Sequence, residues 1–547
     1  MRVQRWWLWG LALVSGVLQV LPFPIAGPVP VWRTAFAWLA LTPLLLALVG
    51  RDDEAALPVR MGLALGYASG FVWYLGNCYW IFQTMHLYGG LAEPVAAGIL
   101  VLFCLYLGLY HALFAGLVVL LRRSRLGRQG ALLLSPFVWV AVELARARIT
   151  GFPWDLLGNT QIDCPLLLRL APWTGVFGLS FVVATVNALW LLRLQIRERR
   201  HTRLALTLAG VLLVAGYVAL LHWWSTPAVA MPTATATLLQ ENLEVGAENT
   251  GPQESKQQML QSFAYLSEHP AAQFLMGMPE QPGTPAVVML RRHREADAVV
   301  PTDLVVWPES PAPFEESDPE FRTAMSQLAR QQQAPVIVGN IGLERTEKNA
   351  RGYLLYNSAS LIAADGHFAA RYDKIHLVPF GEYVPFARLF FFAKNLLNEV
   401  GTFDPGQRRT VFDLGGHRAG TFICYESVFG NEVRQFVREG AEVLVNISND
   451  GWYGDTSAPW QHLNMVRMRA VENHRWVLRA TNTGVTAAID PWGRVMASAP
   501  RHVRTAITAH FGYEHGLTFY TAHGDVFAYL CLLVTVVSVA VGRLRMP

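Results

Sequence analysis

Lysine is nearly missing from this chain. Of its 44 basic residues only four are lysines, Lys256, Lys348, Lys374 and Lys394, leaving 40 arginines. Lysine is a compact point charge whose proton affinity follows its surroundings, whereas arginine is a wide and permanently charged fork. A sequence that supplies its ordinary cations as arginine gives a special task to a lysine inside an aromatic-rich stretch. Lys374, in Arg371-Tyr372-Asp373-Lys374-Ile375-His376-Leu377-Val378-Pro379-Phe380-Gly381-Glu382, is such a residue; Lys256 and Lys348 read as surface lysines. Cysteine is equally sparse. Cys78, Cys104, Cys164 and Cys531 lie in or beside apolar runs, so Cys424 has no partner in the water-facing part and a disulfide framework is excluded there. An unpaired thiol in an oxidising compartment is a liability, which favours a working one. His462 and His474 lack zinc-type spacing with other ligands, so neither metal nor cofactor is expected. No repeat of 20–50 residues is visible, which excludes a solenoid.

Apolar residues are abundant, at 52% of the 547. Runs long enough to span a bilayer fall near 6–23, 33–50, 60–84, 95–121, 130–147, 173–192, 204–223 and 525–542. The division expected is a membrane domain of seven helices over 1–224, a water-facing domain over 225–522, and a closing transmembrane helix over 523–547. The first run, flanked by Arg2 and Arg5, lacks a small-residue cleavage site and is followed directly by further spans, so it reads as a retained anchor. Arginines cluster at Arg51/Arg60, Arg122/Arg123/Arg125/Arg128, Arg193/Arg197/Arg199/Arg200/Arg203 and Arg543/Arg545. Positive charge marks cytoplasmic ends, which places the large insert outside, in the periplasm of a bacterial inner membrane. The basic runs are thereby explained by topology, and nothing argues for nucleic acid.

Within the insert, strand-like runs at 236–240, 304–307, 336–340, 356–363, 419–423, 443–447 and 486–490 alternate with helical ones at 254–268, 320–332, 426–439 and 460–479. That alternation predicts an α/β layered domain; the proline-bearing stretch 269–300 reads as a loop. Active groups in such folds gather at the carboxyl ends of strands. Glu309 and Cys424 each follow a strand, and the helix expected after Cys424 would lower its thiol pKa. A thiol nucleophile needs a base for its proton and a fixed positive charge for the oxyanion. Glu309, Cys424 and Lys374 supply those three parts.

Val306-Trp307-Pro308-Glu309, the lysine stretch with its continuation Gly381-Glu382-Tyr383-Val384-Pro385, and Cys424-Tyr425-Glu426 together resemble the motifs of the nitrilase, or carbon–nitrogen hydrolase, superfamily. Flanked by membrane spans, the domain is similar to that superfamily's membrane-embedded branch, which acylates lipoproteins. The resemblance implies an αββα sandwich behind a polytopic α-helical membrane domain. It implies Glu309 as general base, Cys424 as the nucleophile that forms a thioester, and Lys374 with the backbone N–H of Tyr425 as oxyanion donors. Glu382 matches a second pocket glutamate, and Tyr425 and Glu426 match flanking residues tied to activity. The implied substrates are a phospholipid acyl donor and the N-terminal amine of a diacylated lipoprotein, both met at the lipid bilayer. One departure is visible: the tryptophan common after the first strand is absent from 243–253.

Two readings stay open at several positions. Glu382 is either in the pocket or in a salt bridge to a nearby arginine, and Glu426 is either functional or simply suited to a helix start. Phe390, Phe391 and Phe392 are either a core helix or a mobile arm dipping into the lipid, with Trp452 and Tyr453 as a second wall. Trp154, in Gly151-Phe152-Pro153-Trp154, is either an interfacial belt residue or functional. Two rival functions remain. A membrane-anchored amidase needs only one anchor, whereas eight spans suggest substrates that arrive from the bilayer. A transporter needs inverted repeats and charges at mid-membrane, and Glu143 near a span end is the best candidate for one.

Overall fold

Two six-stranded sheets face each other at the centre of the water-facing part. The computed structural model describes residues 6–50, 55–195, 231–243, 245, 255–270, 301–309, 314–347, 351–383 and 403–544. In chain order the strands are β1 (Ala234–Gln240), β2 (Leu304–Val306), β3 (Val336–Arg345), β4 (Tyr353–Ile362), β5 (Phe368–Asp373), β6 (Val411–Asp413), β7 (Arg418–Ile423), β8 (Val443–Ser448), β9 (Val477–Thr481), β10 (Ala487–Ile489), β11 (Val495–Ser498) and β12 (Thr505–Phe511). One sheet runs β12-β1-β2-β3-β4-β5 and the other β11-β10-β9-β8-β7-β6. Their facing sides share one apolar core that includes Leu238, Val306 and Ile337 from the first sheet and Phe422, Val445 and Leu478 from the second. Helices Lys256–Glu268 and Pro319–Gln332 cover the outer face of the first sheet, where Phe263, Phe321 and Met325 pack on Val305 and Val338. Helices Gly430–Arg438 and Ala458–Asn473 cover the second. The result is the expected αββα sandwich.

Local chemistry sets several boundaries. Asp318 caps helix Pro319–Gln332, accepting a hydrogen bond from the Glu320 N–H at 2.8 Å, with proline at the first helical position. Ser255 and Gln258 form a capping box at the start of Lys256–Glu268. Two expected helices are corrected. The run 426–439 begins as a 3-10 turn, Cys424–Val428, and the α-helix starts only at Gly430, because Phe429 interrupts it with φ −94° and ψ 82°. The run 460–479 ends its helix at Asn473; His474 takes φ +49°, and Val477–Thr481 continues as the fully buried central strand β9. Apolar residues there satisfy either period, and burial on both faces decides for strand.

On the membrane side, four runs among the described residues are long and apolar enough to cross a bilayer: Val31–Val49, Glu93–Arg123, Gly127–Thr150 and Val176–Arg193. Trp6–Val20 and Val526–Gly542 are apolar but shorter. The run near 60–84 forms helix Val59–Asn77, and that near 204–223 lies outside the described residues. Val59–Asn77 carries Gly62, Gly66 and Gly70 one turn apart, which lets it pack backbone to backbone on Glu93–Arg123. A Cβ at Gly66 would come within 2.4 Å of both the His111 carbonyl oxygen and the Ala115 Cβ.

Candidate active site

Cys424, Glu309 and Asn449 all follow parallel strands: β7 and β8 pair in parallel, as do β1, β2 and β3. Lys374 follows β5, which pairs with β4 so that Ser358 faces Asp373. Asn357, one residue before, therefore meets Lys374, and its carbonyl accepts the Lys374 N–H at 2.8 Å. These elements bring Glu309, Lys374, Glu382 and Cys424 to one buried place, at 7%, 1%, 6% and 5% exposure.

Lys374 Nζ donates to Glu309 Oε1 at 3.2 Å and to Glu382 Oε1 at 3.0 Å. The Asn357 amide bridges the same two oxygens, 2.7 Å from each. Glu309 Oε2 also accepts the Asn449 N–H at 2.8 Å, and Glu382 Oε2 the Val378 N–H at 2.7 Å. Glu382 reaches back because the segment 378–383 closes on itself, with Phe380 at φ +63° and its N–H bonded to the Tyr383 carbonyl at 2.7 Å. Glu382 thus pairs with Lys374 rather than with an arginine. Lysine has three hydrogens to donate, and two are committed to carboxylates. Burial pulls the Lys374 pKa down, but Glu309 and Glu382 outweigh it and hold the ammonium above its usual range.

Cys424 closes β7 at φ +49°, a left-handed conformation uncommon for a residue with a side chain. Burial and the nearby Glu309 carboxylate push its thiol well above the usual value, against the pull of Lys374. This corrects the expected helix-terminus effect: the short 3-10 turn does not offset desolvation, and the thiol rests protonated. Glu309 and Asp450 both raise its pKa, Glu309 the more strongly.

Glu426 has a clear structural task. Its Oε1 accepts the Tyr372 hydroxyl at 2.7 Å and the N–H groups of Ile375 and His376 at 2.8 and 3.2 Å; its Oε2 accepts the Ile423 N–H at 2.7 Å. One carboxylate thus ties the strand end before Cys424 to the turn after Lys374. Glu426→Ala should leave these donors unpaired at roughly 1–3 kcal/mol each, and a thermal melt should show a marked loss of stability, with Glu426→Gln intermediate.

Tyr425 points the other way, into the membrane domain's core, and its hydroxyl donates to the Gly151 carbonyl at 2.8 Å. Trp154 is 1% exposed, so it is not a lipid-facing belt residue. Its Nε1 donates to Gln461 Oε1 at 2.8 Å, and its ring lies 4.9 Å from Trp80 and 5.9 Å from Tyr453. Gln461 also donates to the Pro24 and Asn77 carbonyls, joining two membrane segments to the helix Ala458–Asn473. Tyr453 is buried in this aromatic cluster, and Trp452 is half-buried beside Tyr88. Phe390, Phe391 and Phe392 lie outside the described residues. Asn357, Gln461 and the group Asp450, His462 and Arg479 had no motif to announce them; His462 drew notice only for its lack of metal spacing.

Residues 253–512 match the carbon-nitrogen hydrolase family, and residues 15–189 match the apolipoprotein N-acyltransferase N-terminal domain. An apolipoprotein N-acyltransferase of Geobacter metallireducens is 35% identical over 541 residues, covering 98% of this chain and 95% of its own. The chain belongs to the apolipoprotein N-acyltransferase family. The Methylococcus capsulatus member is 34% identical over 98% of this chain and 96% of its own. A Saccharomyces cerevisiae member of the nitrilase superfamily aligns over 51% of this chain and 89% of its own, at 21% identity and a TM-score of 0.34. The polytopic membrane part and the αββα domain are those of an apolipoprotein N-acyltransferase.

Proposed function

We propose that this apolipoprotein N-acyltransferase works by a ping-pong cycle through a thioester on Cys424. Cys424 Sγ attacks the ester carbonyl of a phospholipid acyl chain while its proton passes to Glu309. Lys374 Nζ, with its third hydrogen, and the Tyr425 N–H take the tetrahedral oxyanion. The ester C–O bond breaks, Glu309 returns the proton to the leaving oxygen, and lysophospholipid departs. The α-amine of an N-terminal diacylglyceryl-cysteine then attacks the thioester, gives its proton to Glu309, and releases the amide and the Cys424 thiol. Glu382 holds Lys374 together with Glu309.

The observation that carries this reading is the Glu309–Lys374–Glu382 ion cluster beside a buried, protonated thiol whose next residue, Tyr425, is seated in the membrane domain. Water has to lose to an amine in the second half-reaction, and the burial of Cys424, Trp154 and Tyr453 favours that outcome. The arginine placement supports a periplasm-facing catalytic domain on a bacterial inner membrane, with the membrane part over 1–224, the catalytic part over 225–522 and a closing span over 523–547. Phe390, Phe391 and Phe392 fit a lipid-facing arm, with Trp452 and Tyr453 lining the way in.

Mass spectrometry of the intact protein tests the cycle. After exposure to phospholipid without acceptor, the protein should gain one acyl mass on Cys424, removable by hydroxylamine and missing from Cys424→Ala. Continued turnover by Cys424→Ala would remove the covalent route.

A further inference from the structure

We propose that His462 is a positioning residue for acyl transfer: it grips from behind the peptide group joining Cys424 to Tyr425 and so aims the Tyr425 N–H at the oxyanion. The proposal rests on the reading of Cys424 as nucleophile. His462 is fully buried, one turn along the helix Ala458–Asn473. Its Nε2 lies 3.1 Å from the Cys424 carbonyl oxygen and 2.6 Å from Ser427 Oγ, and its Nδ1 lies 2.8 Å from Asp450 Oδ1. Asp450 in turn accepts the Ser448 hydroxyl at 2.9 Å and the Arg479 guanidinium at 2.6 Å. Burial alone would raise the Asp450 pKa, but Arg479 and His462 overcome it and keep the group ionised. The ring is stacked on Trp154 at 5.8 Å and met edge-on by Tyr453 at 6.3 Å. It is therefore locked on every side, with a carboxylate at one nitrogen and a carbonyl and a hydroxyl at the other.

A peptide unit is planar and trans, so its C=O and the following N–H point in opposite directions. Fixing the Cys424 oxygen therefore fixes where the Tyr425 hydrogen points. The grip has something to resist, because Cys424 sits at φ +49° and a residue with a Cβ gains by leaving that region. With a hydrogen on Nε2 as well as on the Nδ1 that faces Asp450, the doubly protonated ring donates to the carbonyl and polarises the unit, which strengthens the N–H at its other end. The buried chain Arg479–Asp450–His462 thus has an outlet at the reacting centre without touching the substrate.

The test compares His462→Ala, His462→Asn and His462→Gln in the full-length enzyme. A glutamine amide nitrogen reaches the position of Nε2, whereas asparagine reaches only that of Nδ1. Four quantities are read: kcat and KM with phospholipid, the rate of Cys424 alkylation by iodoacetamide, and the melting temperature. Alkylation forms no oxyanion, so it isolates the sulfur. Alanine and asparagine should lower kcat by about tenfold to a hundredfold, less than the ~10²–10³ lost with an oxyanion donor outright. KM and alkylation should stay within about twofold of wild type, since neither draws on that donor, and glutamine should recover most of the rate. Glutamine no better than asparagine, an unchanged kcat, or alkylation falling in step with acyl transfer would each overturn the proposal. Where alanine does not fold, the glutamine–asparagine pair decides alone. An active Cys424→Ala would instead overturn the thioester reading, whatever the His462 variants do.

Discussion

Lys374→Arg should slow acyl-enzyme formation by at least about 10²–10³, the usual cost of losing an oxyanion donor, although the substitution keeps the charge. The reason lies in how the ammonium is held. Two of its hydrogens go to Glu309 and Glu382 at 3.2 and 3.0 Å, and the residue is 1% exposed. A guanidinium presents its donors as a planar fork that suits carboxylates in pairs. Placed here its five hydrogens lie in one rigid plane, so engaging the two glutamates fixes where the others point and none can turn to the oxyanion position as an ammonium hydrogen does. Its extra volume also has to be accommodated in a closed site, where overpacking costs about 1–3 kcal/mol. Single-turnover mass spectrometry measures the acylation step directly. A Lys374→Arg enzyme that acylates at the wild-type rate would make Lys374 a counter-ion only, and the oxyanion would need another donor.

The scarcity of lysine made this residue stand out in the sequence, and the burial of Lys374 bears out that it is no ordinary surface cation. Strands whose apolar runs are short and bounded by turn residues, such as β1, β7 and β8, were equally legible. The central strand β9 was not, because 477–481 prolongs an apolar helical pattern and only its place between β8 and β10 makes it a strand. β5 and β6 were missed for the opposite reason: their half-exposed residues carry little apolar signal. The triad residues could be proposed from motifs, but their supporting partners could not. Asn357 lies at an ordinary strand position, and its role comes from the β4–β5 register. Gln461 and His462 follow one another on one helix, yet one serves the membrane interface and the other the Cys424 peptide, a division that only packing reveals. The fate of the Cys424 thiol was also hidden, because helix-terminus reasoning knows nothing of desolvation.

Glu309→Gln should reduce acylation by about 10²–10⁴, the range of positioned general-base catalysis, and should change its pH dependence in a way no packing defect would. In the proposed cycle the buried thiol passes its proton to the Glu309 carboxylate, which already bears on it. Three of the roughly four lone-pair sites of a carboxylate are filled in Glu309, by Asn357, Lys374 and Asn449, which leaves one for the sulfur's proton. Glutamine keeps the size but cannot take that proton. Its amide nitrogen also meets either the Asn449 N–H or the Lys374 and Asn357 donors, so at least one hydrogen bond is lost as well. The thiol must then ionise into solvent unaided. Burial holds it above the ~8.5 of an ordinary cysteine. Removing the Glu309 charge lowers it part of the way but leaves the desolvation in place. The thiolate fraction then grows with pH, so the variant's acylation rate should climb steadily through about pH 9 with no plateau, approaching the wild type only at the alkaline end. Glu382→Gln is the matched control, since Glu382 shares Lys374 and Asn357 with Glu309 but is not the base in the proposed cycle. It should weaken the lysine's hold while leaving the shape of the pH profile intact. A wild-type profile in Glu309→Gln, or the alkaline climb in Glu382→Gln instead, would move the base from one glutamate to the other.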